Sequence, residues 1–209
     1  MEIRLAVVTA VWTLWCVQHS LLNSQGFIDR FAIPQKRIGP YYRLIYNLVS
    51  MGTLLAVVRL TPRADETWLW TWDGWLKPVQ VLIFAIAIFV FVLTFRCHDF
   101  WEFLGVKPFM KSCRVESSTR PLAVNGIYGV LRHPQYTAGL MVLWARNIAA
   151  SELVVNIVLS IYLIVGAHME ESRLRASFGE EYERYRKEVP AFLPRRIPRI
   201  SDLVGTKCR

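Results

Sequence analysis

The sequence predicts an all-α membrane protein, a polytopic helical bundle of about five transmembrane helices plus a C-terminal interfacial helix. The first observation is composition: 54% of the 209 residues are hydrophobic and only 20% are charged. The mean hydropathy is positive, which is uncommon for a soluble domain of this size. The second is that the apolar residues form long uncharged runs although the formal net charge is +9. The apolar content excludes a disordered chain, the 11 glycines and 10 prolines exclude a collagen-like one, and the four scattered cysteines exclude a disulfide-rich one.

Three apolar runs predict uninterrupted transmembrane helices. Residues 5–22 and 79–95 contain no Asp, Glu, Lys or Arg, and residues 41–60 contain arginines only near their ends. Long basic side chains at such positions can reach the membrane interface. The lengths are close to the roughly 20 residues that an apolar helix needs to cross the hydrocarbon core. No proline lies inside the three runs, as expected of continuous helices.

Two shorter runs, 134–150 and 153–168, predict a fourth and a fifth span within a single membrane domain. Only two residues separate them, so the two helices must form an antiparallel hairpin. At 1.5 Å per residue each arm is only about 24–26 Å long. A shallow re-entrant hairpin is therefore the alternative.

The distribution of basic residues predicts the orientation. With five spans, 20 of the 25 Lys and Arg residues lie in the three connections on the side of the C-terminus, residues 23–43, 96–135 and 168–209. The positive-inside rule then predicts an inner or plasma membrane protein with its N-terminus outside and its C-terminus in the cytoplasm. We interpret the basic excess as topology and contact with membrane lipids, and we expect no nucleic-acid partner.

Tryptophans and cysteines fit the same orientation. The outer connection carries four tryptophans, which are typical of an aromatic interface belt: Trp68, Trp70, Trp72 and Trp75. Three of the four cysteines lie on the cytoplasmic side, where free thiols are expected: Cys97, Cys113 and Cys208.

Polar residues that could act together lie on either side of the predicted hairpin. Upstream, a glycine-bearing loop leads through Arg132 and His133 to a proline, and the free N–H groups of a helix start favour an anionic ligand group. Downstream, Glu170 and Glu171 directly follow the fifth span, although helix C-termini prefer cations. Because a hairpin brings its ends together, we expect a cytoplasm-facing site for a small ligand. An interface anchor and a solvated acidic pair are the simpler interpretations of the same residues.

The following segment, 172–188, predicts an amphipathic helix at the interface or over the site. Leu174, Phe178, Tyr182 and Tyr185 fall on one face of it, a stripe that is typical of packing. Gly179 favours a break in the helix.

These motifs resemble those of the integral-membrane methyltransferases related to isoprenylcysteine carboxyl methyltransferase. The similarity covers residues 126–194, about a third of the chain, and comprises Gly126, Tyr128, Arg132-His133-Pro134, Tyr136, Gly139, Glu170-Glu171, Leu174, Phe178-Gly179, Tyr182, Tyr185, Val189-Pro190 and Pro194. A weaker similarity points to a bacterial branch that includes methanethiol S-methyltransferase-like and NnrU-like proteins. It is carried by Gln18-His19-Ser20, Tyr42-Arg43-Leu44, Tyr46-Asn47, Asp99 and Phe103-Leu104-Gly105.

The resemblance implies a methyltransferase that uses S-adenosylmethionine (SAM), with residues 126–194 as its cofactor-binding core and no metal. It implies no Rossmann domain, which agrees with the lack of a G-x-G-x-x-G loop in the sequence. Seven residues would hold the cofactor: Gly126, Tyr128, His133, Tyr136, Glu170, Glu171 and Leu174. Arg132 would take the cofactor's carboxylate or take part in catalysis.

Methyl transfer from an activated donor requires positioning and an acceptor with a free lone pair. A base is needed at most to remove one proton from the acceptor, and His19 or His98, at the cytoplasmic ends of two spans, could supply it. An ordinary interface histidine is the alternative. The eukaryotic relatives carry basic residues shortly before the acidic pair, whereas residues 164–167 are Ile-Val-Gly-Ala here. This departure favours a small thiol or another lipophilic acceptor over prenyl-cysteine itself. We expect the acceptor, with an isoprenylcysteine-like lipid among the candidates, to enter from the bilayer.

Two other functions are compatible with the sequence. Sterol C14-reductase-like proteins resemble the same C-terminal region and use NADPH, but they are usually larger and have more spans. A non-enzymatic assembly or transport factor would explain the spans and the charge asymmetry, yet it leaves the acidic pair unexplained.

Overall fold

The computed structural model describes residues 2–30, 39–61, 67–110, 121–199 and 202–203. In chain order the helices are α1 (Glu2–Leu22), α2 (Gln25–Arg30), α3 (Gly39–Leu60), α4 (Lys77–Thr94), α5 (Phe100–Leu104), α6 (Pro134–Trp144), α7 (Ala150–Phe178) and α8 (Glu180–Glu188), and the strands are β1 (Trp68–Trp70) and β2 (Ile148–Ala149). Within these ranges, four helices are long and apolar enough to cross a membrane: Glu2–Leu22, Tyr41–Leu60, Gly74–Thr94 and Ala150–Phe178. The all-α polytopic membrane class is therefore confirmed.

The chain forms two compact units, and the first comprises Met1–Thr67, Asp99–Ser118 and Ala149–Leu159. Its two long helices α1 and α3 run antiparallel, because the Trp12 indole N–H donates to the Thr61 hydroxyl at 2.9 Å while the Tyr42 hydroxyl at the other end donates to the Leu22 carbonyl. Val8, Trp12, Val57 and Val155 form its buried apolar core.

Helix α5 in the first unit is held by a cap at each end. The Asp99 carboxylate accepts hydrogen bonds from the backbone N–H groups of Trp101 and Glu102 at its start, which is the usual role of an N-cap aspartate. Gly105 ends the helix with a φ of 78°, in the left-handed region that favours glycine. The Asn47 side chain donates to the carbonyls of Phe103 and Leu104, both at 3.0 Å, and so ties α5 to α3.

The second unit comprises Trp68–His98, Thr119–Ile148 and Ser160–Arg209, and it contains the predicted hairpin. The Trp144 indole donates to the Ser160 hydroxyl at 3.0 Å. A Cβ on Gly166 would lie 3.3 Å from Cε1 of Tyr136. Since these two contacts join opposite ends of α6 to successive parts of α7, the helices are antiparallel, as the short connection predicts.

The structure differs from the sequence prediction at segment 134–150. Helix α6 has 11 residues, about 16 Å at 1.5 Å per residue, which is too short to span the membrane alone. It ends before Arg146 and Asn147. The Trp72 indole N–H donates to the Arg146 carbonyl, and the Trp72 backbone N–H donates to Oδ1 of Asn147, each at 3.1 Å. Strand β2 then pairs with β1. The polar Arg-Asn pair, held by Trp72, therefore stops the helix early.

The C-terminal part of the second unit follows the predicted pattern. Helix α7 continues beyond the predicted span to Phe178, and Gly179, with a φ of 54°, separates it from α8. Tyr182, Tyr185 and Val189 form a buried cluster against Leu122, Leu174 and Phe178. The predicted stripe is thus a packing face within the unit.

The cysteines differ from expectation at one described position. Cys97, just after α4, is disulfide-bonded, so the prediction of a free thiol there was wrong. Cys16 in α1 is a buried free thiol.

Candidate functional site

The two ends of the α6–α7 hairpin meet in the second unit. Arg132 precedes α6, and its Nη2 and Nε atoms lie 2.6 and 3.0 Å from Oε1 of Glu171 near the end of α7. Their side chains are only 11% and 9% exposed. His133 Nε2 lies 3.1 Å from the same oxygen, and His133 Nδ1 lies 3.7 Å from Oε2 of Glu170. The structure therefore brings the basic turn and the acidic pair together.

The remaining donors of Arg132 are directed at the protein. Its Nη1 donates to the carbonyls of Arg186 and Val189, at 2.8 and 2.7 Å. These carbonyls belong to the last turn of α8 and the residue after it, where a cation is favourable. A guanidinium has five N–H donors, and four hydrogen bonds to protein atoms occupy most of them. Arg132 thus joins the loop before α6 to both α7 and α8.

The two glutamates have different surroundings. Glu171 faces Arg132 and His133, and its second oxygen lies 3.5 Å from Nε of Arg186. The side chain of Glu170, by contrast, is 48% exposed. Glu170 is therefore the carboxylate of the pair that a ligand could reach.

The C-terminal tail is joined to the start of α6 through the main chain. The backbone N–H groups of Arg132 and His133 donate to the carbonyls of Pro190 and Ala191, at 2.9 and 3.1 Å. The His133 ring, only 3% exposed, packs between the rings of Tyr136 and Phe192, with centroid distances of 5.5 and 5.6 Å. The predicted ligand-binding residue His133 is thus a buried part of this junction.

A cavity of about 590 Å³ lies between the glycine-bearing loop and the tail, within the range of roughly 300–1,000 Å³ that is usual for small-molecule sites. Its polar lining includes Asn125, Glu188, Arg195 and Asp202. Of the seven predicted cofactor-binding residues, Gly126 lines this cavity. Gly126 has a φ of 60°, and a Cβ there would lie 3.4 Å from the Leu203 carbonyl oxygen, so the position favours glycine.

Sequence reasoning did not identify most of the cavity lining. The sequence pattern around these residues is that of a charged helix end followed by a proline-rich tail, and it includes Glu188, Arg195 and Asp202. The path of the tail back to the loop is set by main-chain hydrogen bonds of Arg132 and His133, which leave no pattern in the sequence. The charged residues among the tail prolines were the one available signal.

The tyrosines of the site are neutral hydroxyls at physiological pH. Burial raises the pKa of Tyr128 and of Tyr185, and it raises the pKa of Tyr182 to about 12. The Tyr185 hydroxyl donates to the Tyr128 carbonyl at 2.6 Å. The buried Tyr182 hydroxyl has no hydrogen-bond partner among the described residues, and an orphan of this kind often marks a position for water or a ligand group. These side chains can donate hydrogen bonds but cannot act as bases.

The two histidines proposed as bases lie in different units. His98 is exposed, and its Nδ1 lies 3.2 Å from the Tyr128 hydroxyl and 3.3 Å from the Thr94 carbonyl. The structure therefore places His98 beside the glycine-bearing loop. His19 belongs to the first unit, where its Nε2 lies 2.7 Å from the Tyr46 hydroxyl. Leu174, the last predicted cofactor residue, packs against the buried tyrosine cluster.

Comparison with known proteins identifies the family. A sequence profile described as NnrU protein matches residues 7–192. The chain is 32% identical over 202 residues to a methanethiol S-methyltransferase of Pseudomonas deceptionensis, covering 91% of this chain and 73% of that protein. It is 30% identical over 186 residues to a methanethiol S-methyltransferase of Crocosphaera subtropica, covering 87% of this chain and 71% of that protein.

Another relative covers a smaller part of the chain. The protein-S-isoprenylcysteine O-methyltransferase of Schizosaccharomyces pombe is 34% identical over 79 residues, which is 35% of this chain and 33% of that protein. No solved structure matches the chain. With a family profile over most of its length and relatives that are methyltransferases, the chain belongs to the NnrU family and is a membrane methyltransferase.

Proposed function

We propose that the protein transfers the methyl group of SAM to a small thiol or a lipophilic thiol-like acceptor at the cytoplasmic face of the membrane. The observation that carries this proposal is the α6–α7 hairpin, which brings Arg132 and His133, before α6, next to Glu170 and Glu171. The same unit holds the 590 Å³ cavity. Two relatives that cover 91% and 87% of the chain are named for methanethiol. The relative named for isoprenylcysteine covers only 35% of it, so a small thiol is the favoured acceptor.

The residues of the cavity fit SAM chemically. The cofactor carries positive charge on its sulfur and its amino group, and the carboxylates of Glu188 and Asp202 line the cavity. Asn125 and the loop backbone at Gly126 offer hydrogen-bonding groups to an adenosine moiety. Glu170 does not line this cavity, but its carboxylate is half exposed and available for an amino or hydroxyl group, whereas Glu171 is committed to Arg132. These residues support cofactor binding by the region that the sequence predicts.

The chain's own contribution to the reaction is positioning and removal of one proton. SAM, when bound, supplies a methyl group that the sulfonium charge already activates. A thiol acceptor reacts as the thiolate, so its proton must leave. We assign His98 as the base, because Nδ1 faces the Thr94 carbonyl and the Tyr128 hydroxyl. If Nδ1 carries the proton, Nε2 is left to accept one from the thiol.

The test is methyl transfer from labelled SAM by the purified full chain, with methanethiol, longer alkyl thiols and prenyl-cysteines as acceptors. We expect labelled thioether from the small thiols. His98→Gln should lower kcat at neutral pH while leaving the Kd for SAM unchanged, and the loss should shrink as rising pH ionises the thiol in solution. His19→Gln is the matched control, and loss of activity in that variant alone would move the base to His19. Turnover of NADPH in place of SAM would overturn the proposal.

A further inference from the structure

The tail after α8 contains an apolar and basic surface that methyl transfer does not use. We call residues 193–199 the tail segment. Leu193 and Ile197 are 78% and 93% exposed, although each is a large apolar side chain outside the long helices. The segment contains no acidic residue, and three arginines lie among the apolar side chains: Arg195, Arg196 and Arg199. Two prolines, Pro194 and Pro198, fix φ at their positions and restrict the backbone of the segment.

Hydrogen bonds fix the level of the tail segment relative to a spanning helix. The Thr137 hydroxyl, in the first turn of α6, donates to the Phe192 carbonyl at 3.1 Å. In the same turn of α6, the Gln135 amide donates to the Thr94 hydroxyl at 3.2 Å. Thr94 is the last residue of the candidate span Gly74–Thr94. The segment therefore starts at the level where this span leaves the membrane.

The arginines of the segment retain donors for an external anion. Arg195 donates to the carbonyls of Glu188 and Lys187 at 3.4 and 3.3 Å, and Arg196 lies 3.3 Å from Oδ2 of Asp202 with a side chain that is 75% exposed. A guanidinium has five N–H donors, so these contacts leave others unused. Its planar fork matches phosphate oxygens well.

We propose that the tail segment is an anchor for a leaflet of anionic phospholipids. Leu193 and Ile197 insert at the boundary of headgroups and acyl chains, and the three arginines contact lipid phosphates. The charge complementarity and the membrane level of the segment select lipid as the occupant. Because Arg195 and Arg196 also line the 590 Å³ cavity, the lipid surface would support one wall of it. The proposal does not depend on the identity of the methyl donor or acceptor.

The test uses the full chain in nanodiscs made of phosphatidylcholine alone or mixed with phosphatidylglycerol. A photoreactive benzoylphenylalanine replaces Ile197, or Leu193 in a second variant, and lipid adducts are measured by mass spectrometry after illumination. Glu181, an exposed charged residue of α8, is the matched control position. We expect lipid adducts at 193 and 197, several-fold more in discs with phosphatidylglycerol, and few at 181.

A charge variant separates binding of anionic lipid from simple proximity to the membrane. Combining Arg196→Gln with Arg199→Gln should abolish the preference for phosphatidylglycerol at position 197, while the melting temperature in detergent stays unchanged because both side chains are exposed. No lipid adduct at 193 or 197 would overturn the proposal and leave the segment free for a protein partner. Equal adducts in both disc types would also overturn it. Binding of inorganic phosphate by the arginines in detergent, with lipid adducts that do not change in the charge variant, would show that the arginines bind free phosphate and not the leaflet.

Discussion

Glu170 and Glu171 are adjacent in the sequence, yet α7 sends their carboxylates into different surroundings. Glu171 is 9% exposed and shares one oxygen between Arg132 and His133. Glu170 is 48% exposed and lies only at the edge of this group. A buried ion pair that loses one partner leaves an uncompensated charge, whereas an exposed carboxylate can be neutralised at little cost. The two residues should therefore differ in what they contribute.

We predict opposite effects for the two glutamine variants. Glu171→Gln should destabilise the protein by about 3 kcal/mol, because Arg132 loses its charged partner in a buried position. Glu170→Gln should leave the melting temperature unchanged and weaken SAM binding about tenfold, the loss of roughly one charged hydrogen bond. Thermal unfolding and calorimetric titration of the two variants check this. If both variants unfold like the wild type, Arg132 is not held by Glu171 as described.

Arg132 joins three elements through a planar fork that lysine cannot reproduce. Its guanidinium contacts Glu171 and two carbonyls at the end of α8. Arg132→Lys keeps the charge but loses most of these bonds, so we predict destabilisation of roughly 2 kcal/mol and a raised KM for SAM. The kcat at saturating SAM should change little, because four of the five N–H donors of the arginine are used by protein atoms. Arg184→Lys, at an exposed position of α8, is the control. A collapse of kcat at unchanged KM would assign Arg132 a direct catalytic role.

Two glycines in the first unit differ in whether the packing of a helix requires glycine at their position. Gly105 has a φ of 78°, and a Cβ there would lie 2.4 Å from the backbone nitrogen of Leu44. At Gly52, inside α3, a Cβ would have no other atom within 4 Å. Gly105 is therefore required for α5 to approach α3, whereas Gly52 is replaceable.

Alanine substitution should separate these two positions. Gly105→Ala should cost at least about 2 kcal/mol through strain and overlap with the α3 backbone. Gly52→Ala should be neutral or stabilise the helix by up to about 1 kcal/mol. Denaturant or thermal unfolding of both variants measures the difference, and equal stability of the two would contradict the close contact at Gly105.

Elements set by local patterns could be predicted from the sequence, and elements set by distant contacts could not. The hairpin followed from a two-residue connection, and the break at Gly179 followed from a glycine between two charged turns. The early end of α6 could not be predicted, because it depends on hydrogen bonds from Trp72 to Arg146 and Asn147, far apart in sequence. The ion-pair group was predictable since its residues flank the hairpin. The cavity was not, since one of its walls is a tail that returns to the loop.

The number of membrane crossings decides the orientation of the whole molecule. Four long helices alone would place both termini on one side. Gln80 in α4, however, donates to the Ala145 carbonyl after α6 at 2.7 Å, while Thr94 at the other end of α4 contacts Gln135. Residues 135–145 thus run alongside about 21 Å of α4 at 1.5 Å per residue. Because residues 135–145 run along most of the length of α4, the chain passes from one end of this spanning helix to the other although α6 is short. This arrangement favours five crossings.

We predict that the two termini lie on opposite sides of the membrane, with the C-terminus in the cytoplasm. A C-terminal green fluorescent protein should fluoresce, a C-terminal alkaline phosphatase should be inactive, and an N-terminal epitope should be accessible to protease from outside. The disulfide at Cys97 is unusual for a reducing compartment. An active C-terminal phosphatase would contradict the predicted orientation. It would place the C-terminal side, with Cys97, in an oxidising compartment, which agrees with the disulfide.

Calorimetric titration of SAM into the full chain in nanodiscs tests the central claim most directly. We expect one site of micromolar affinity and no heat with NADPH. In Gly126→Val, the branched side chain adds to the strain at a φ of 60° and approaches the Leu203 carbonyl, so binding should weaken at least about tenfold. Wild-type affinity for SAM in Gly126→Val, or binding of NADPH but not SAM by the wild type, would contradict the account.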